Sequence, residues 1–308
     1  MKTTDLLIIG AGPAGCSAAI YAVRAGLKTV IAGGAMPGGQ LLQTNDIENY
    51  AGFVNPVAGF ELMDNMLKQC KRLGVEITTD QIVKLEGSQP PFTATASGGE
   101  QYQATAVVIA AGASARWLMA PGEDKLRGHG VSACATCDGF FFKGKKVVVV
   151  GGGNTAFEDA LFLAQICPSV TLVHRREGFR ADAVTIEKVK NTPNITMQLN
   201  CVVEEVLGTE KVTGVRLKNV KTGEVTEIAC DGIFVAVGAI PQTAWLKDSP
   251  VELDAAGLVK VDYKQRTNID GIFAAGDCTE PEFRQASIAA GTGAKAGISA
   301  AAFVNLRK

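Results

Sequence analysis

Cys134-Ala-Thr-Cys137-Asp138 sets two thiols three residues apart, with a carboxylate directly after the second. Two chemistries use such a pair: half of a zinc site, or a disulfide that opens and closes. Zinc needs further ligands. The chain has no second Cys-x-x-Cys and no His-x-x-x-His, and its two histidines are His129 and His174. The redox reading is therefore preferred, with no metal. Such a disulfide needs a thiolate of lowered pKa and a nearby proton donor. Asp138 is the candidate donor if partial burial raises its pKa; the alternative is an exposed loop carboxylate.

Two glycine turns accompany the thiols. One is Gly10-Ala-Gly12-Pro13-Ala14-Gly15, and the other is Gly151-Gly-Gly153-Asn154-Thr155-Ala156. Glycines at this spacing make a tight turn, let backbone approach a pyrophosphate, and pack a helix on a strand. The apolar patterns predict a strand, the turn, a helix and a second strand in both places: 6–9, 14–24 and 28–31, then 146–150, 155–165 and 170–173. In the first unit Val30, Ile31 and Ala32 stand where a ribose-binding acid is usual, so that mode of ribose recognition is not expected there. In the second unit that place holds His174, Arg175 and Arg176, with Arg180 a turn later. Guanidinium groups suit a 2′-phosphate, which makes NADPH the expected ligand; a solvated basic turn is the competing reading.

Each copy ends on a further apolar strand running into glycine, at 106–112 and 232–238. Short β-type segments are expected at 81–86, 92–95, 202–207 and 212–217. Beyond Pro241, strands are expected at 258–261 and 272–275 and a helix at 284–304. The predicted class is α/β, with two Rossmann-like three-layer nucleotide-binding domains, the second inserted in the first. The expected division is 1–114 with 244–308 for the first domain and 115–243 for the second, which carries the thiol pair.

Net charge is −1, with 47% hydrophobic and 20% charged residues. This balance gives no footprint for nucleic acid or an anionic membrane. The opening apolar run breaks at Gly10, too short for a signal peptide, and no 18-residue apolar stretch exists. Eight cysteines without an export signal suggest a reducing cytoplasm with one redox pair. The other six are expected in packing roles, with Cys278 of interest because it follows Gly276-Asp277. Phe140-Phe141-Phe142 cannot all point inward, so part of the run is a candidate docking surface.

Over essentially its whole length the chain resembles the low-molecular-weight, bacterial-type thioredoxin reductases. The resemblance is carried by 130–139, 151–158 and 174–181, and by Ala274-Ala-Gly-Asp277 with Arg284-Gln285-Ala286. Gly38-Gly39-Gln40 and Glu48-Asn49-Tyr50 resemble that family's further flavin contacts. The resemblance implies FAD in the discontinuous domain, NADPH in the inserted one, a homodimer, and thioredoxin as acceptor. It implies that Cys137 faces the flavin, that Cys134 exchanges with thioredoxin, and that Asp138 protonates the thiolate. It implies that Asp277 holds FAD and that Arg284, Gln285 and Ala286 line the flavin. His129 stands where the family commonly has Arg or Lys, and 33–37 also departs from relatives. Competing readings are a same-class reductase of a peroxiredoxin or glutaredoxin-like protein, a flavin dithiol oxidase, and a nucleotide-binding sensor without turnover.

Overall fold

The structure is a computed structural model and describes residues 1–43 and 46–307. The chain divides into two compact units, Met1–Ser114 with Ile240–Lys308, and Ala115–Ala239. The return crossing thus comes at Ile240, four residues before the 244 expected from sequence.

The first unit begins with β1 (Lys2–Ile9), α1 (Pro13–Arg24) and β2 (Thr29–Ala32). The short strands β3 (Asp46–Ile47) and β4 (Val57–Ala58) lead into α2 (Gly59–Arg72). Next come β5 (Glu76–Thr78), β6 (Ile82–Glu86), β7 (Phe92–Ala96), β8 (Gln101–Ile109) and β9 (Ala113–Ala115). In the second unit, β10 (Val131–Ser132), α3 (Ala135–Asp138), β11 (Lys146–Val150), α4 (Asn154–Ala164) and β12 (Ser169–His174) carry the motifs. They are followed by α5 (Ala183–Lys190), β13 (Ile195–Leu199), β14 (Cys201–Gly208), β15 (Val212–Asn219), β16 (Val225–Ala229) and β17 (Gly232–Val235). The chain then returns through β18 (Ala239–Pro241), β19 (Ile272–Ala274) and α6 (Ala286–Asn305).

In the first unit β5, β2, β1 and β8 lie side by side in parallel, and β19 extends the row from the carboxyl half of β8. The amino half of β8 pairs instead with the antiparallel hairpin of β7 and β6. Helices α1, α2 and α6 cover one face through Ala14, Ala18, Ala22, Met63, Cys70 and Ala296. The hairpin and the irregular segment around Leu246, Val251 and Val259 cover the other. Small residues let α1 and α6 approach closely. A Cβ on Gly293 would lie 2.1 Å from the Ala14 carbonyl oxygen, and one on Gly297 would lie 2.4 Å from that of Ala18. Gly293→Ala is therefore expected to destabilise the protein by about 3 kcal/mol, the upper part of the range for overpacking. Urea unfolding checks this, and a change within experimental error would mean that the helices part at no cost.

In the second unit a parallel sheet runs β10-β17-β11-β12-β13. Central β11 has four valines, all buried, as a parallel strand covered on both faces requires. On one face lie Ala156, Phe157, Ala160 and Leu163 of α4. On the other lies the antiparallel sheet β14-β15-β16, through Val206, Val215 and Leu217.

Besides the return crossing, the sequence reading departs from the structure at 258–261 and at the start of the last helix, and it passes over α2, α3, α5 and short strands such as β10 and β13. Residues 258–261 form no strand. Leu258 is taken up in a turn on Asp254, its N–H donating to Asp254 Oδ1 at 2.8 Å and its carbonyl accepting from Asp254 N–H at 2.8 Å, while Val259 makes only an isolated bridge to Leu253 and Lys260 N–H donates to Glu252 O at 3.1 Å. The last helix starts at Ala286 and not at Arg284, because Gln285 is extended, with φ −119° and ψ 146°. The cut ends of each unit are held by that unit's own bonds. Gln242 N–H donates to Gly112 O at 2.9 Å in the first, and Arg116 N–H to Gly238 O at 3.0 Å in the second.

Candidate active site

Parallel strands bring their carboxyl ends to one edge, and in each unit the motifs follow those ends. In the second unit β10 ends at Ser132, β11 runs into Gly151, and β12 ends at His174. Cys134 is the N-cap of the short α3, and its sulfur is bonded to that of Cys137, with the Cα atoms 5.3 Å apart. Both cysteines are half-buried. Asp138 closes the turn, its N–H donating to Cys134 O at 3.1 Å.

Ser132, which sequence reasoning missed, connects these groups. Its hydroxyl donates to Asp138 Oδ2 at 2.6 Å and accepts from Cys134 N–H at 3.0 Å. Burial pushes the Asp138 carboxyl above its usual range, and the Ser132 bond partly opposes that. Asp138 is therefore not the exposed loop carboxylate of the competing reading. The signal was a hydroxyl two residues before the first cysteine, which becomes meaningful only once β10 and α3 fold back together.

In the nucleotide turn of this unit, a Cβ on Gly151 would meet Ala236 O at 2.4 Å and Ala156 Cβ at 2.5 Å. Gly153 caps α4 with no side-chain cap bond and nothing within 4 Å of where a Cβ would lie, and the first-turn amides of a helix have no intrahelical partner. Thr155 is exposed. Beyond β12, Arg175, Arg176 and Arg180 are exposed and line a small recess with His174 and Gly178. None of the three arginines has an ion-pair partner among the described residues, whereas the adjacent Glu177 is bound to Lys221. Burial and then the neighbouring Arg175 and Arg176 push His174 below the usual histidine range, while its bond to Gly178 works the other way. Three guanidinium groups without ion-pair partners beside a helix N-terminus could hold the 2′-phosphate and the pyrophosphate of a dinucleotide.

In the first unit, Ile9, Ile109 and Ala274 end their strands in register. Gly10 adopts φ +112°, and a Cβ there would meet Ala110 O at 2.2 Å. Gly12 caps α1 with nothing before it, and Pro13 opens the helix. A Cβ on Gly39 would lie 3.6 Å from Gly12 Cα, so the 3-10 turn Gly39–Gln43, with exposed Gln40, borders the cradle. Gly38 precedes it at φ +135°. Gly276, next to Asp277, backs on Ala14. Asn49 Nδ2 donates to Gln285 Oε1 at 3.2 Å, and Ala286 opens α6 beside them. Burial pushes Asp277 up to about 6, against the pull of nearby Arg284. The Arg284 Nε is buried with no hydrogen-bond partner. An unbonded buried donor and a half-buried carboxylate beside a glycine cradle fit a large polar ligand such as a flavin dinucleotide.

All six remaining cysteines are buried. Cys278 is fully enclosed, and burial pushes its thiol up to about 11, which leaves it inert. Phe142 packs edge-on against Phe234 at 5.1 Å, while Phe140 and Phe141 remain 60% and 39% exposed. His129 is exposed. Among the described residues no group of three or more His, Cys, Asp or Glu side chains is placed to hold a metal, and no helix is long and apolar enough to cross a membrane.

Comparison with known proteins agrees with this arrangement. Residues 4–293 match the family described as pyridine nucleotide-disulphide oxidoreductase. The chain is 45% identical over 306 residues to a thioredoxin reductase of Rickettsia conorii, covering 98% of this chain and 99% of that one. It is 46% identical over 299 residues to one from Mycolicibacterium smegmatis, covering 96% and 95%. The solved thioredoxin reductase of Streptococcus pyogenes superposes with a TM-score of 0.92 at 39% identity, covering 99% of both chains. A dithiol and two nucleotide cradles in one chain, together with these likenesses, show that it belongs to the thioredoxin reductase family of pyridine nucleotide-disulphide oxidoreductases.

Proposed function

We propose that this chain is an NADPH-dependent thioredoxin-disulfide reductase. The observation that carries the reading is the Cys134–Cys137 disulfide with its partly buried acid Asp138, on the same sheet edge as a nucleotide turn and three unpaired arginines. NADPH is held by Gly151, Gly153, Asn154 and Thr155 at its pyrophosphate and by Arg175, Arg176 and Arg180 at its 2′-phosphate. FAD is held by Gly10, Gly12, Gly15, Gly38, Gly39, Gln40 and Asn49, with Asp277, Arg284, Gln285 and Ala286. When bound, the two cofactors supply the electron pair that opens the disulfide. The Cys134 thiolate then attacks the acceptor's disulfide and expels one acceptor thiolate, and the Cys137 thiolate attacks the Cys134 sulfur of the mixed disulfide, re-forming the Cys134–Cys137 bond and releasing the acceptor as a dithiol. Asp138 delivers the proton that the departing thiolate takes up.

The acceptor is thioredoxin, and exposed Phe140, Phe141 and His129 near the dithiol supply its docking surface. The protein works as a homodimer in the cytoplasm. Six enclosed, unpaired thiols support a reducing compartment, and the exposed apolar side chains Phe53, Val54 and Phe60 support self-association. NADPH-dependent disulfide reduction that requires added thioredoxin tests the whole reading; oxidation of NADPH at the same rate without it would overturn the choice of acceptor. Cofactor choice is tested separately. Losing one charged hydrogen bond costs about 1.5–3 kcal/mol, or roughly 10- to 150-fold in affinity. Arg176→Ala is therefore expected to raise the KM for NADPH at least about tenfold and leave that for NADH nearly unchanged. Equal effects on both nucleotides would remove the 2′-phosphate from this loop.

A further inference from the structure

The nucleotide turn after β11 and the arginine loop after β12 are tied to each other at four places. Asn154 Nδ2 donates to Asp182 Oδ2 at 2.9 Å, and Asp182 N–H donates back to Asn154 Oδ1 at 2.9 Å. Arg180 N–H donates to Gly152 O at 2.8 Å. The His174 ring fills the space where a Cβ on Gly152 would lie, 2.1 Å away, while its Nε2 donates to Gly178 O at 3.1 Å. Phe179 packs edge-on against Phe157 of α4, with ring centroids 4.9 Å apart, and beside His174 at 5.4 Å.

Asp182 is the unusual member. It stands at the N-cap of α5, where an aspartate ordinarily accepts from its own first-turn amides, yet it makes no such bond. Its side chain is committed to the first residue of a different helix. Asn154 in turn uses both ends of its amide on Asp182.

We infer that Asn154 and Asp182 are positioning residues that set the preference for a 2′-phosphorylated nucleotide. A nucleotide lacking that phosphate needs only the turn. One that carries it needs the turn and the arginines at a fixed spacing, and a loop already held in place costs no ordering on binding. Charge alone makes the opposite prediction: removing the Asp182 carboxylate from beside three arginines would strengthen phosphate binding. The sign of the effect therefore separates the two explanations. This inference rests on the reading that Arg176 contacts the 2′-phosphate.

The test is calorimetric titration of the oxidised, FAD-loaded protein with NADP+, NAD+ and adenosine 2′,5′-bisphosphate at constant ionic strength. Asp182→Ala is expected to weaken NADP+ and the bisphosphate about five- to tenfold, the scale of one or two exposed hydrogen bonds, with NAD+ changed less than about twofold. Asp182→Asn keeps an oxygen for Asn154 Nδ2 and is expected to restore NADP+ binding. Unchanged or tighter NADP+ binding in Asp182→Ala overturns the inference, as does equal weakening of NADP+ and NAD+, or failure of Asp182→Asn to rescue. Arg176→Ala run alongside keeps the two readings apart. If Arg176→Ala weakens NADP+ selectively while Asp182→Ala does not, only the positioning role fails; if Arg176→Ala weakens NADP+ and NAD+ equally, the phosphate assignment itself fails.

Discussion

Cys137→Ser is expected to cut NADPH-dependent reduction of thioredoxin by about a thousandfold or more, as removal of a covalent participant does, while NADPH still bleaches the flavin absorbance. The split follows from where the residues lie. Cys134 and Cys137 share one turn of chain and close on each other, so neither alone can hold the electron pair as a disulfide-dithiol couple. The nucleotide groups lie elsewhere on the sheet edge, on the turns after β11 and β12, and lose no contact. Cys134→Ser is expected to stop turnover as fully. Stopped-flow absorbance at the flavin band reads the first half, and a coupled thioredoxin assay reads the second. Turnover that survived either substitution would show that electrons leave by a route other than this disulfide.

Asp138→Asn is expected to lower the rate of disulfide exchange about a hundredfold, the lower end of what a general acid contributes, and to remove the alkaline limb of its pH profile. An acid works while protonated, so its contribution is complete below its pKa and is lost as pH rises through it. Burial raises that pKa in Asp138, so the limb is expected above the range of an exposed carboxylate. Ser132 donates a bond that favours the ionised form, and Ser132→Ala is therefore expected to move the limb to still higher pH. A limb that stayed in place in Ser132→Ala, or persisted in Asp138→Asn, would assign it to another group.

The site could be read from sequence where one residue type serves one local need. Gly10, Gly12, Gly151 and Gly153 stand at turns where a side chain would collide or block the approach to a helix end. Cys134 and Cys137 lie within one turn of each other. The strands expected at 6–9, 146–150 and 170–173 are present for the same reason, since a run such as that of β11 is apolar on both faces. Contacts closed by tertiary folding could not be read. Ser132 gains its role by returning onto Asp138, Asp182 by reaching a helix 28 residues earlier, and Asn49 by meeting Gln285 across 236 residues. The strand expected at 258–261 shrinks to a single bridge between Val259 and Leu253, because the tight turn closed by the Asp254 side chain on Leu258 N–H leaves no room for a longer ladder.

The bonds from Gln242 to Gly112 and from Arg116 to Gly238 carry a consequence for how such a chain is assembled and rearranged. Each unit brings its own two cut ends together, so neither depends on the other to close its backbone. Joining points that are already neighbours costs little chain entropy. A short turn could therefore join the two ends of the first unit where the second now enters and leaves. In this connectivity the inserted unit enters and leaves the chain at points joined by hydrogen bonds within each unit, so recombination at those two points would exchange it without opening the first unit's backbone.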